Sequence, residues 1–369
     1  MDSTVIWLLI LLGSYFIILF FYLHFSYKPD IINNIFGFGA LIFTFFNIIL
    51  VMFLMNQDST LYLEIIPMFS YTLGLPLILI SLIIVFSTII LFFIRKFVKT
   101  RDFNKFWMKV EENSKKRSKL LRDTLRKIPH VLIFLGLLVV WYIGTVFVID
   151  FSGSTSGMIP EVQDMARLYF GLIENPNNIR GVLFSLGWFY YLLFFFFYTL
   201  NLIMIANEFT RKTHSCAFPF NFICRIFFCE EEKLNYGAYL YFTVGQMFAA
   251  FITPPMVFFA ILGISSISDL LTSQIGIRYG KSKIKWNQEK SWQGTFAGIL
   301  SCFIISLLFI GIVWAIIFTL GFLVFDIITN KPLKLSDNLL LPIGFGLIYT
   351  IIQFFFRFEI VTIFLIWIS

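Results

Sequence analysis

The 369-residue chain is 59% hydrophobic and only 13% charged, with a formal net charge of +7. Soluble globular proteins carry about 25% charged residues, so this composition excludes an ordinary soluble domain. Several apolar runs reach the roughly 20 residues that a helix needs to cross a bilayer. The sequence therefore predicts an all-α, polytopic transmembrane helical bundle in contact with membrane lipids, and it indicates no nucleic-acid partner.

The apolar runs follow one another along the whole chain and predict eight or nine membrane spans. The first run lacks a basic region before it and a small-residue cleavage site after it, so we expect it to be retained. One 33-residue run is too long for a single crossing, because it would reach roughly 50 Å against a hydrocarbon core of about 30 Å. It predicts two short helices that turn near 311–315. The runs are 5–25, 33–55, 66–94, 131–149, 182–206, 236–252, 256–275, 295–327 and 340–356.

A strongly basic segment orients the predicted spans. Residues 95–127 hold 13 Lys and Arg against 4 Asp and Glu. Positively charged loops remain in the cytoplasm, so this segment is expected inside. Counting spans from it places the 150–181 loop and the N-terminus outside, and the segments 207–234, 276–294 and 328–339 inside.

Two acidic positions within or beside apolar runs are the most informative single residues. An ionisable group inside a membrane helix costs roughly 2.5–3.5 kcal/mol and is a functional candidate by default, so Asp269 is expected to face a polar cavity. The alternative is an aspartate at a helix end that reaches water. Asp337 and Asn338 form a second pair of oxygen donors, although both residue types also suit helix N-capping. Together, Asp269 and Asp337 could hold Mg²⁺, which prefers one or two carboxylates plus phosphate oxygens and water.

The segment between these two sites combines glycine with basic residues. Gly276 and Gly280 allow close backbone approach. KSWQGTFAG then begins a helix at which Ser291 can cap and the amides around Gly294 can face an anion. Glycines at this spacing in a membrane helix more often serve helix packing, so both interpretations stay open. Positive charge for a polyphosphate would come from Arg278, Lys281, Lys283, Lys285 and Lys290.

Six fragments, in this order, resemble the polyprenol kinase family, which includes dolichol kinases, phytol kinases and CTP-dependent diacylglycerol kinases. The resemblance covers about 125 to 345. Three positions depart from the family pattern, because Ser268 replaces a glycine, Leu271 or Thr272 replaces a small residue, and Gln293 replaces an acid. The fragments are RKIPH at 126–130, Glu208 with Arg211, Arg225 followed by Glu230 to Glu232, Asp269 with Gly276 and Gly280-Lys281, KSWQGTFAG at 290–298, and DNLLLP at 337–342.

The resemblance implies transfer of the γ-phosphoryl group of CTP to the hydroxyl of a lipid alcohol at a cytoplasmic site. It also implies accessory helices over 1–94, a basic linker over 95–121 and a catalytic domain over 122–369. The resemblance implies that Asp269 and Asp337 bind Mg²⁺, with Asn338 in support. It implies that phosphates are bound by Arg278, Lys281 and Lys290, beside the backbone of Gly276, Gly280, Ser291 and Gly294. The implied candidates to orient or deprotonate the alcohol are Lys127, His130 and Glu208.

Two other classes of function remain open at this point. A cytidylyltransferase making a CDP-lipid would also need CTP, Mg²⁺ and a basic glycine-containing loop. A non-catalytic scaffold or a transporter is the other alternative, and Gln293 favours the scaffold because an amide keeps a carbonyl acceptor but carries no charge.

Overall fold

The structure is a computed structural model in which helices dominate and one short hairpin interrupts them. The residues it describes are 31–55, 59–97, 112, 116–152, 165–175, 181–182, 186–212, 217–221, 236–329 and 331–363. The helices in chain order are α1 (Ile31–Met55), α2 (Ser59–Phe97), α3 (Lys119–Ser152), α4 (Met165–Glu174), α5 (Gly187–Lys212), α6 (Ala238–Ile252), α7 (Pro255–Gly263), α8 (Asp269–Tyr279), α9 (Trp292–Ile310), α10 (Ile312–Ile328) and α11 (Asp337–Phe356). A π-helical turn (Ile264–Ser268) joins α7 to α8, and the antiparallel strands β1 (Lys283–Ile284) and β2 (Asn287–Ser291) lie between α8 and α9.

Seven of the described helical segments are long and apolar enough to cross a membrane, and α6 and α10 are shorter apolar helices. The predicted all-α, multi-pass membrane bundle is therefore confirmed. The 33-residue run divides as expected, because α9 ends at Ile310 and α10 begins at Ile312. Gly311 between them has a φ of 85°, a conformation that only glycine adopts without strain. The predicted first span, 5–25, lies outside the described residues.

The short helix α6 lies at the centre of the bundle. Every residue from Leu240 to Ile252 is buried, and the helix packs against α1, α5 and α11. A helix that is apolar on all sides is stable only where other helices surround it. Helix α7 is buried over its whole length in the same way. These two helices therefore form the core around which the longer helices are arranged.

The helices α1 and α2 contribute to the same hydrophobic core as the rest of the chain. Leu41 and Phe45 of α1 and Leu73 of α2 are fully or almost fully buried in it. Helix α1 also packs on α6 and α11, and α2 packs on α5. The predicted division between accessory helices at 1–94 and a catalytic domain at 122–369 stays a prediction, but the described parts of the two regions share one core.

Helices α6 and α11 approach closely where a glycine of one faces a proline of the other. A Cβ atom added at Gly245 would lie 2.6 Å from Cγ of Pro342 and 2.9 Å from the backbone oxygen of Asn338. Neither atom belongs to a flexible side-chain end. Small residues that allow two backbones to approach are a recurring means of helix association in membranes. This contact fixes the position of the first turn of α11.

Replacing this glycine is expected to destabilise the protein. Gly245→Ala should lower the thermal unfolding temperature in detergent, because overpacking of a close contact costs about 1–3 kcal/mol. Gly136→Ala is the matched control, since a Cβ atom at Gly136 of α3 meets nothing within 4 Å. Equal unfolding temperatures for the two variants would contradict the tight α6–α11 contact.

Candidate functional site

A buried ion pair joins α3 to α8. The Nζ atom of Lys127 lies 2.7 Å from Oδ2 of Asp269, and both side chains are more than nine-tenths buried. Lys127 also donates hydrogen bonds to the backbone oxygen of Asp269 (2.9 Å) and to Oγ of Ser273 (3.0 Å). Lys127 and His130 are three residues apart and therefore share one face of α3. Lys127 and His130 are thus the two polar residues of the RKIPH fragment that point into the bundle. They are also the two residues of that fragment that were expected to orient or deprotonate the alcohol.

An irregular turn directly precedes Asp269. The π-helical turn ends at Ser268, and Asp269 begins α8 directly after it. Such turns occur frequently at functional sites. Asp269 then presents both its carboxylate and its backbone oxygen to Lys127.

A second cluster lies around Lys290, at the end of β2. Its Nζ atom is 2.7 Å from Oδ1 of Asp326 on α10 and 3.6 Å from Oδ2 of Asp337 at the start of α11. Thr295 on α9 donates to the other oxygen of Asp326 at 2.5 Å. Burial alone would lower the pKa of Lys290, but the carboxylates of Asp326, Asp337 and Asp269 together raise it above its ordinary value. Lys290 therefore keeps its charge through the neutral range and would lose it only in strong alkali.

The two clusters belong to one site. Asp269 interacts electrostatically with Lys127, Asp337 and Lys290, and His130 interacts with Lys127 and Asp337. The structure thus brings together predicted residues of four separate fragments. The group contains three carboxylates and two lysines, and the charge of Arg126 also acts on Asp337 and His130.

The donor set suits Mg²⁺ only when phosphate is also present. Among the described residues, no group of three or more His, Cys, Asp and Glu side chains is arranged to hold an ion alone. Asp337 is partly exposed, its Oδ1 accepts the N–H of Asn338 at 3.0 Å, and its Oδ2 is beyond close contact with Lys290. One or two carboxylates completed by phosphate oxygens and water are a usual Mg²⁺ environment. Asp337 and Asp269 fit that arrangement, and the magnesium site stays a prediction.

The basic residues of the segment between α8 and α9 divide into two groups. Lys290 lies partly buried among the carboxylates, with 12% of its side chain exposed, whereas Arg278, Lys281, Lys283 and Lys285 are exposed at the surface around the hairpin. Of the lysines and the arginine expected to bind phosphate, Lys290 is the one placed beside the predicted metal ligands. The described contacts do not link Arg278 or Lys281 to this group.

Gly276, Gly280 and Gly294, which were expected to leave room for phosphate, lie where α8 packs against the start of α9. A Cβ atom at Gly294 would lie 2.5 Å from the backbone oxygen of Thr272 and 3.1 Å from Cα of Gly276. A Cβ atom at Gly280 would collide with the backbone oxygen of Gly276 and lie 2.6 Å from Oγ of Ser291. The space beside these glycines therefore holds α8 against the start of α9. Ser291 caps α9 as predicted, since its Oγ accepts the N–H of Gly294.

Glu208 lies in a different polar cluster. Its carboxylate pairs with Arg211 at 2.5 Å and accepts hydrogen bonds from the hydroxyl of Tyr239 and the N–H of Gly237. Gly237 directly precedes α6 and has no side-chain cap, so Glu208 satisfies a backbone donor at the start of that helix. The described contacts of Glu208 do not connect it to Asp269 or Asp337. Its position supports a structural role rather than the expected contact with an alcohol.

His130 is buried beside the ion pair. Its ring stacks on Phe242 of α6 with a centroid distance of 3.8 Å, and its backbone oxygen accepts a hydrogen bond from Ser266 of the π-helical turn. Among the described residues, Nδ1 of His130 has no hydrogen-bond partner. Of the three groups expected to orient or deprotonate an alcohol, His130 is therefore the one with an open nitrogen.

Sequence reasoning missed several residues of this site. Asp326 is buried inside an apolar run, and the argument that singled out Asp269 applies to it equally. Ser273 accepts a hydrogen bond from Lys127 and donates one to Asp123 at 2.6 Å. Ser273 lies four residues after Asp269 on α8, and Asp123 lies four residues before Lys127 on α3. This helical spacing could have identified both residues.

Comparison with known proteins adds no relative to this picture. No family model, curated protein or solved structure matches the chain. The fold and the composition define a multi-pass integral membrane protein with an ionic cluster buried at one end of its helical bundle.

The buried ion pair is expected to show strong energetic coupling. Lys127→Met and Asp269→Asn should each destabilise the protein by about 3–5 kcal/mol, because each leaves an uncompensated buried charge. Lys127→Met combined with Asp269→Asn should cost clearly less than the sum of the two single changes. Chemical unfolding of the four proteins in detergent micelles measures this coupling.

The chain offers a control pair at its surface. Lys116 and Glu112 lie 3.0 Å apart, but their side chains are 69% and 65% exposed. Lys116→Met and Glu112→Gln should show less than about 1 kcal/mol of coupling. Comparable coupling in the buried and the exposed pair would show that the Lys127–Asp269 contact is not the buried pair described here.

Proposed function

We propose that this protein is a membrane lipid kinase that transfers the γ-phosphoryl group of CTP to the hydroxyl of an isoprenoid alcohol, such as a polyprenol or dolichol, or of a related lipid alcohol. The observation that carries the proposal is the convergence of Lys127, Asp269, Lys290 and Asp337 in one ionic cluster. These residues come from fragments of the resemblance that are separated by up to about 200 positions. The family resemblance supplies the nucleotide and the lipid class.

The depth of the cluster also supports the proposal. Asp337 begins α11, Lys290 lies two residues before the start of α9, and Lys127 lies within the first three turns of α3. A lipid kinase must join a nucleotide dissolved in water to a hydroxyl that is anchored in the membrane. Charged groups at the ends of membrane-spanning helices lie where those two substrates can meet. We propose that this end of the bundle faces the cytoplasm, where the basic segment 95–127 is expected.

The chemistry requires charge neutralisation and alignment more than covalent participation by the protein. The alcohol oxygen forms a bond to the γ-phosphorus, the bond from that phosphorus to the β,γ-bridging oxygen breaks, and CDP leaves. In this proposal Lys290 contacts the phosphates and His130 receives or orients the hydroxyl proton. Lys127 holds Asp269 in position. Mg²⁺, bound by Asp269 and Asp337 with Asn338 nearby, would neutralise phosphate charge during transfer.

The contacts of Gln293 do not favour a non-catalytic scaffold. Its Oε1 accepts the N–H of Ser282 at 3.2 Å, so it ties the segment before β1 to the first turn of α9. A glutamate could accept the same bond. If Gln293 has made the chain inactive, Gln293→Glu should produce turnover that is absent from the wild type.

The proposal predicts CTP-dependent labelling of a lipid. Purified protein in detergent, given [γ-³²P]CTP, Mg²⁺ and separate polyprenol, phytol and diacylglycerol substrates, should label at least one lipid. Asp337→Asn should lower turnover by about a hundredfold or more, because charge stabilisation at a transferred phosphoryl group is worth several kcal/mol. Asp269→Asn should act in the same direction, with the rate expressed per folded protein.

Asp150→Asn is the matched control, because Asp150 is exposed near the opposite end of α3. It should keep the wild-type rate. Absence of labelled lipid from every substrate would overturn the kinase proposal. Pyrophosphate and a CDP-lipid as products, instead of CDP and a phosphorylated lipid, would identify a cytidylyltransferase.

A further inference from the structure

The core of the bundle contains a glutamine whose side chain has no partner. Gln246 of α6 is completely buried, and among the described residues neither its amide nitrogen nor its amide oxygen has a hydrogen-bond partner. Burying an amide without such partners costs about 1–3 kcal/mol by mutational measures. Inside a membrane bundle no bulk water is available to form the missing hydrogen bonds. A buried glutamine in this condition can be completed by a bound ligand or by a buried water.

The direction of Gln246 follows from the neighbours of α6. Gly245 faces α11, Thr243 and Met247 contact Asn201 of α5, and Tyr241 contacts Asn34 of α1. Phe242, which is one helical turn before Gln246, stacks on His130 of α3. Residues four apart lie on one helix face. Gln246 therefore lies on the His130 side of α6, about 6 Å further from the polar end than Phe242.

One more unpartnered polar atom lies at this face. His130 is 5% exposed and its Nδ1 atom lacks a partner among the described residues. The stack of its ring on Phe242 is the contact that joins α3 to α6 here. A nitrogen without a partner and an amide without a partner thus occur on two adjoining helices beside the ionic cluster.

We infer that Gln246 binds the hydroxyl group of the lipid alcohol, with His130 on the side toward the ionic cluster. A hydroxyl is one donor and an acceptor, and a glutamine amide offers both complements. Gln246 is a binding residue in this inference and takes no part in phosphoryl transfer. The inference rests on the proposed function for the identity of the ligand as a lipid alcohol.

The test measures binding without nucleotide, so it does not depend on turnover. Two probe pairs are used, geranylgeraniol with its methyl ether and 1,2-dioleoylglycerol with its 3-O-methyl ether. The wild type should bind at least one alcohol about tenfold more tightly than the matched ether, which corresponds to one or two hydrogen bonds. Dissociation constants come from intrinsic tryptophan fluorescence or thermal shift in detergent.

Gln246→Leu should abolish the preference for the alcohol while leaving the unfolding temperature of the free protein unchanged or higher, because it removes unsatisfied polar atoms. Gln353→Leu is the matched control, since Gln353 is also buried with an unpartnered amide oxygen among the described residues but lies sixteen residues from Asp337 along α11. It should keep the preference. Gln246→Met should behave as Gln246→Leu does.

Equal binding of alcohol and ether by the wild type, for both probe pairs, would overturn the inference. So would a preference that survives in Gln246→Leu, which would mean that a buried water is the only partner of Gln246. A preference that depends on Gln246 in a protein that never labels a lipid from CTP would retain the hydroxyl site and reject the kinase. Lipid labelling from CTP by a protein whose preference for the alcohol does not depend on Gln246 would support the kinase and reject the hydroxyl site.

Discussion

The contact between Lys127 and Asp269 constrains the rest of the structure most strongly. Two charges removed from water inside a membrane bundle are stable only if they satisfy each other and their remaining hydrogen bonds. Lys127 does so with three acceptors, of which two belong to Asp269 and one to Ser273. The same contact joins α3 to α8, so it contributes to the fold as well as to the candidate site.

A kinase site would use this arrangement because carboxylates and lysines lie beside one another in it. Lys290 pairs with Asp326, whose other carboxylate oxygen accepts a hydrogen bond from Thr295, while Asp337 lies at a longer distance from Lys290. In the proposed function phosphate brings negative charge, which Lys290 would meet. A divalent cation would bring positive charge, which Asp269 and Asp337 would meet. The cation would therefore offset part of the phosphate charge when the two bind together.

Sequence reasoning could predict the helices and the pairing of the acidic positions, but not the roles of the residues between them. Apolar runs fix where helices cross, and the division of the long run at Gly311 followed from its length alone. That Asp269 and Asp337 belong to one group could be expected from their shared suitability for Mg²⁺ and from the resemblance. The glycines were ambiguous, because close approach of a backbone serves a neighbouring helix and a phosphate equally well. Asp326 was missed because it belongs to none of the six fragments, although it is a charged residue within an apolar run.

A hydrogen bond beside the ionic cluster links the beginning of the described chain to the start of its last long helix. Oδ1 of Asn33 on α1 accepts the N–H of Ser336, the residue before Asp337, and its Nδ2 donates to the oxygen of Lys334. These partners are separated by 303 and 301 positions along the chain. The placement of the Asp337 carboxylate thus depends on a helix near the other end of the described chain. The contact closes a loop over most of the polypeptide, so this end of the molecule is complete only when α11 has reached α1.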